Sequence, residues 1–107
     1  ISPYKDGLIV IERDNQIGND AAIKKLAFVS LKDVKPAPLG SEATPPVLVK
    51  SEVKDLLPLL KATHGYVLDK VESFAIDTAG NAFIVTDNDG VDGSSGETQF
   101  MSLGKMN

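Results

Sequence analysis

The feature that most constrains this chain is an internal repeat. Gly7 opens the apolar run Leu8-Ile9-Val10-Ile11, which leads into Glu12-Arg13-Asp14-Asn15; Asn81 opens Ala82-Phe83-Ile84-Val85, which leads into Thr86-Asp87-Asn88-Asp89. Each exit is followed by a loop rich in turn residues and then by a second block, Phe28-Val29-Ser30-Leu31 in one copy and Phe100-Met101-Ser102-Leu103 in the other. Setting Ile9 on Phe83 gives an offset of 74, and setting Phe28 on Phe100 gives 72. Two separate blocks that agree to within one loop deletion indicate a repeated structural unit. Short β-branched runs bounded by turn residues read as buried strands, so each copy is predicted to be an antiparallel hairpin. In it, Ile9-Val10-Ile11 pairs with Phe28-Val29-Ser30, and Phe83-Ile84-Val85 pairs with Phe100-Met101-Ser102. Phe28 and Phe100 then take matching core positions, and the two polar exit loops lie at corresponding ends.

The second copy carries one more strand, Val71 to Ile76, ahead of the turn Asp77-Thr78-Ala79-Gly80, which makes it a three-stranded meander. The same offset puts its equivalent in the first copy before residue 1, so the chain is expected to begin in mid-unit, as the C-terminal portion of a longer β domain. Between the blade-like units, about 1–32 and 70–104, lies an insertion over 33–69. It carries Pro36, Pro38, Pro45 and Pro46, which keep a loop extended. Val47-Leu48-Val49 reads as a short strand, and Ser51 as the cap of a short helix that Pro58 interrupts. Leu56, Leu57, Leu59 and Leu60 are expected to cover the sheet. The fold class is therefore mainly β, with antiparallel meanders of propeller-blade type and one short helical insertion, part of a larger β-propeller-like domain. Such a piece leaves strand edges and an apolar face to pair with the rest of the propeller chain or with a self-associated copy.

Composition narrows the function classes. At 107 residues with 15 acids, 11 bases and a net charge of −4, the chain has room for a single domain and is a poor partner for nucleic-acid phosphates. No apolar run exceeds four residues, so no helix spans a membrane, and no signal peptide is visible. Cysteine is absent, which removes disulfides, thiolate metal sites and a cysteine nucleophile. His64 is the only histidine, and none of the serines sits in a G-x-S-x-G elbow.

The remaining candidates lie on the exit loops, because sites in repeated meanders form where strand ends converge. Arg13, the only arginine, stands between Glu12 and Asp14. A planar guanidinium there serves either a structural ion pair or a bidentate anion contact. From residue 69 onward there are seven acids against two bases. Of these, Asp87, Asp89 and Asp92 offer hard oxygen ligands to calcium, or are simply turn formers. The spacing fails the EF-hand loop, since Asp92 falls where the turn glycine belongs and Thr98 at the twelfth position.

Taken together, Ile9 to Asp14, Asp69 to Ile76 and the run from Asn81 to Gly90 ending T-D-N-D-G resemble the C-terminal part of the phytase-like family, also called esterase-like activity of phytase. The likeness covers nearly the whole chain, with the proline- and leucine-bearing insertion in its expected place. It implies a propeller-like fold, an exported (secreted or periplasmic) bacterial protein and a small-molecule substrate or ligand bearing phosphate or ester groups. It marks Glu12, Arg13, Asp14, Lys70, Glu72, Asp87, Asn88 and Asp89 as a polar signature. On that footing Glu72 and Asp87 are the candidate catalytic bases, and Glu12, Arg13, Asp14, Lys70 and Asn88 the candidate substrate contacts. Asp87, Asp89 and Asp92 are the candidate calcium ligands. One departure stands at Glu72-Ser73, where the family pattern has E-G. The alternative is a non-catalytic binding or scaffold module in which the same residues form an ion-pair network.

Overall fold

A computed structural model describes residues 1–68, 70–88 and 97–106, apart from the side chains of Thr63 and His64. The chain is mainly β, with two antiparallel sheets that share one core. The first sheet runs in chain order through β1 (Ser2–Tyr4), β2 (Gly7–Arg13), β3 (Lys24–Ser30) and β4 (Lys50–Asp55). The helix α1 (Leu57–His64) follows, and then the second sheet of β5 (Val71–Ile76), β6 (Asn81–Thr86) and β7 (Phe100–Lys105).

The repeat is present at the level of strands, but with its faces exchanged relative to the expected alignment. Ile9 pairs with Phe28 and is fully buried; its counterpart in the second sheet is Ile84, also fully buried, which pairs with Met101. The structural equivalences are therefore Ile9 with Ile84 and Phe28 with Met101, one residue away from the alignment of apolar runs. Side chains alternate along a strand, so a slip of one residue moves each of them to the other face. Phe28 packs against the core as expected, whereas Phe100 is 69% exposed and stacks on Phe83 with ring centroids 5.3 Å apart. The expectation of a buried Phe100 is corrected on that ground.

Three further expectations are revised. Part of the first copy's leading strand lies after residue 1: the three-residue β1, which corresponds to the second half of β5, pairs Ser2 with Ile9 and Tyr4 with Gly7 across the turn at Lys5 and Asp6. Val47–Val49 lies outside any strand, and the strand falls on the charged stretch Lys50–Asp55, all of it exposed along the edge of β3. Edge strands rich in charge are a common protection against further pairing. Pro58, expected to interrupt a helix, lies in the first turn of α1, where a missing N–H costs nothing and φ is already helical. The Asp55 carboxylate accepts the Leu57 amide at 3.0 Å just ahead of it. Gly65 closes the helix in the left-handed region at φ 70°, donating its N–H to the Lys61 carbonyl.

Leu56 and Leu60 are buried between the sheets with Ile9, Leu26, Phe74 and Ile84, and Leu57 and Leu59 pack against them, so the insertion completes the core as expected. Apolar side chains also occupy the outer faces. Ala27 and Val29 are buried outside that core cluster, and the Phe83–Phe100 stack lies on the far side of the second sheet from Ile84. Gly7 is required where it stands, because a Cβ there would meet the Val29 carbonyl oxygen at 2.1 Å and the Phe28 ring at 2.7 Å.

Candidate functional site

The exit ends of β2 and β6 lie at the same end of the molecule, as the repeat predicts. Arg13, the last residue of β2, donates from Nη2 to Oε1 of Glu72 on β5 at 2.5 Å, joining the two sheets. Both side chains keep solvent access, 25% for Arg13 and 44% for Glu72. Glu72 follows Val71, which pairs with Thr86, and the Asp87 amide donates to the Lys70 carbonyl at 2.7 Å. Five of the signature residues, Arg13, Lys70, Glu72, Asp87 and Asn88, are thus positioned by neighbouring strand ends, with Asp87 and Asn88 exposed.

Glu12 and Asp14 are engaged differently. Glu12 points to the other face of β2, where it takes Lys50 and, at 3.6 Å, Lys25. The hydrogen bond from Lys50 holds the Glu12 carboxyl below its usual range. Asp14 forms a clasp. Its Oδ2 accepts the amides of Ala22 and Ile23, both at 2.8 Å, and its Oδ1 lies 3.0 Å from Nζ of Lys24, a lysine with no exposed side-chain surface. The same ammonium donates to the Asp14 carbonyl at 2.8 Å. Burial raises the Asp14 carboxyl, but the two amides and the Lys24 hydrogen bond outweigh it and carry the group far below the ordinary carboxylate range. An aspartate so committed has a structural task.

Lys24 is the partner that sequence reasoning missed. The signal was available: Lys24, Leu26 and Phe28 alternate along one strand, so a buried Leu26 puts Lys24 on the core side and demands a carboxylate for it. Thr86 and Gln99 are a second such pair. The buried Thr86 hydroxyl accepts the Gln99 amide at 2.8 Å and donates to the Glu97 carbonyl, while Oε1 of Gln99 is buried without a hydrogen-bond partner among the described residues.

Of the proposed calcium ligands, Asp89 and Asp92 lie outside the described residues. Among the described residues no three histidine, cysteine, aspartate or glutamate side chains come together to hold a metal ion. No described helix is long and apolar enough to cross a membrane.

No curated protein and no solved structure matches the chain. The family model described as phytase-like, esterase-like activity of phytase, matches residues 2–90, a span that holds both exit loops, the insertion and the Arg13–Glu72 pair. On that match the chain belongs to the phytase-like family.

Proposed function

We propose that the chain supplies part of the ligand-facing surface of a phytase-like domain acting on phosphate- or ester-bearing small molecules, and that this surface is the shared exit end. The observation that carries the reading is the Arg13–Glu72 pair, which bridges two sheets while both side chains remain open to solvent. A substrate oxyanion can compete for the guanidinium, whose planar donors suit phosphate and carboxylate alike. Glu72, released from it, can then take a proton from an attacking water as the bond to the leaving alkoxide breaks, with Asp87 the other candidate base. Lys70 and Asn88 flank that position in the sequence and supply further polar contacts.

A second reading, a non-catalytic propeller-type binding or scaffold module, is favoured by Glu12 and Asp14, whose carboxylates are already committed to lysines and backbone amides. Phosphatase and carboxylesterase assays on the full-length protein separate the two. The hydrolase reading expects turnover that drops at least about tenfold in Glu72→Gln while the melting curve stays cooperative, a loss of roughly 1.4 kcal/mol of transition-state stabilisation. Absence of turnover in both proteins selects the module.

The blade-like arrangement supports a propeller as the setting of this surface. Each sheet is a meander in chain order, and apolar residues on both faces give every blade two neighbours to pack against. Export and calcium belong to the same proposal. Fractionation of the producing cells tests the first. For the second, calcium held by Asp87, Asp89 and Asp92 raises the melting temperature with metal concentration, and Asp89→Asn removes the gain. A melting curve unmoved by millimolar calcium rejects it.

A further inference from the structure

A cleft of about 480 Å³ opens at the opposite end of the molecule from Arg13, between the β1–β2 turn, the edge strand β4 and the closing strand β7. Its size falls within the range of small-molecule sites, roughly 300–1,000 Å³. The floor is apolar. Tyr4, Phe28 and Leu103 rest on the core, and the two rings meet edge to face with centroids 6.2 Å apart and planes at 84°. The Tyr4 hydroxyl donates to the Met106 carbonyl at 3.3 Å, which fixes the ring from the second sheet.

The rim is cationic. Lys5, Lys54 and Lys105 line it against a single carboxylate, Asp6, in a chain whose net charge is −4. Lys54 pairs across the sheet with the buried Leu26 and so rises on the inner face, towards the cleft. Among the described residues neither Lys54 nor Lys105 forms an ion pair, and the Lys5 ammonium lies 5.1 Å from the centre of the Tyr4 ring. Three ammonium groups around an aromatic floor match a ligand with one anionic end and one apolar end. An inorganic anion would leave the rings wet, and a neutral hydrocarbon would leave the lysines without a counter-charge. Asp6 opposes a polyanion.

We propose that this cleft is a second binding site, distinct from the exit end, for a small anion with an aromatic body, an aryl phosphate, sulfonate or carboxylate. The ring lies on Tyr4 and Phe28, and the oxyanion lies among Lys5, Lys54 and Lys105.

The test is a titration of the full chain with 2-naphthalenesulfonate, which neither a phosphatase nor an esterase can hydrolyse, so its result is independent of any turnover at the exit end. Amide resonances followed by NMR report where it binds. Saturable shifts are expected at Lys5, Asp6, Leu103 and Lys105, with 2-naphthol and inorganic phosphate each at least about tenfold weaker. The double variant Lys54→Met, Lys105→Met weakens binding at least about tenfold, and Lys35→Met, on the exposed proline-rich loop, leaves it unchanged. Shifts centred on Arg13 and Glu72, equal binding of 2-naphthol, or undiminished affinity in the double variant overturns the proposal.

Discussion

Arg13 and Glu72 stand 59 positions apart in the chain and meet at 2.5 Å, joining the end of β2 to the start of β5. At the other end the sheets are tied by Ser2, whose hydroxyl donates to the Phe74 carbonyl at 3.0 Å, and by Tyr4 through Met106. The apolar core between these ties does most of the holding, because a partly exposed ion pair is weak. A double-mutant cycle on Arg13→Ala and Glu72→Gln is expected to give a coupling energy of about 0.5–1 kcal/mol, shrinking as salt is added. Urea unfolding at low and high ionic strength measures it. A coupling that salt does not touch would mean the pair is drier than its exposure implies.

Asp14 sets the acid limit of stability. Its carboxyl titrates lower in the folded chain than in the unfolded one, so the unfolded state takes up the proton first as pH falls. The contribution is fully present above about pH 5 and drains away below about pH 4. Glu12 and Asp77, also held below their usual range, act in the same direction, Glu12 through Lys50 and Asp77 through Asn81. Asp14→Asn should cost about 1–3 kcal/mol at neutral pH, because it takes the carboxylate from a buried ammonium that keeps the Asp14 carbonyl, and it should flatten the acid slope. Chemical unfolding from pH 7 to pH 2.5 checks both.

Ile84 and Phe100 give a direct test of the face assignment. Ile84 is fully buried, and truncation to Ala is expected to cost about 2–5 kcal/mol. Phe100→Ala loses mainly its stack on Phe83, about 0.5–1.5 kcal/mol. Equal costs in thermal or urea unfolding would restore Phe100 to the core.

Gly7→Ala places a methyl group 2.1 Å from a backbone oxygen that belongs to the neighbouring strand and cannot swing aside. The hairpin must part to admit it. A loss of roughly 3 kcal/mol or more is expected, in the range of overpacked cores, and circular dichroism on heating reports it.

The strands that bury apolar runs were legible because alternation and turn residues announce them: β2, β5, β6 and β7 fall where the sequence puts them, whereas β3 reaches back to Lys24, so that Ile9–Ile11 pairs with Leu26–Phe28 and not with Phe28–Ser30. β4 was not. Lys50–Asp55 has no buried residue, so its pattern carries no core signal; it is a strand because β3 has an edge to pair. The slip at Phe100 has a similar origin. The letters F-x-S-L repeat, but the buried position that Ile9 holds opposite Phe28 is held in the second sheet by Ile84 opposite Met101, and letters alone do not say which face a residue takes. The convergence of the exit ends was legible from the repeat, and the pairing of Arg13 with Glu72, 59 positions on, was not, because nothing local to Arg13 names that partner. Lys24 went unread because a lysine suggests solvent unless its phase along the strand is followed.

The clasp at Asp14 bears on time as well as on energy. The connection between β2 and β3 lies at the surface, where segments ordinarily open and close many times before the body of a protein does. Here the amides of Ala22 and Ile23 end on one carboxylate, Asp14 returns its own amide to the Ile23 carbonyl at 2.9 Å, and Gly18 is fastened to the Val67 carbonyl beyond α1. Deuterium can reach those amides only when the carboxylate releases them, and the carboxylate is held by an ammonium inside the sheet packing. Exchange at Ala22 and Ile23 should therefore keep pace with exchange at Leu26 in the middle of β3, so that a loop on the outside of the molecule runs at the rate of its interior.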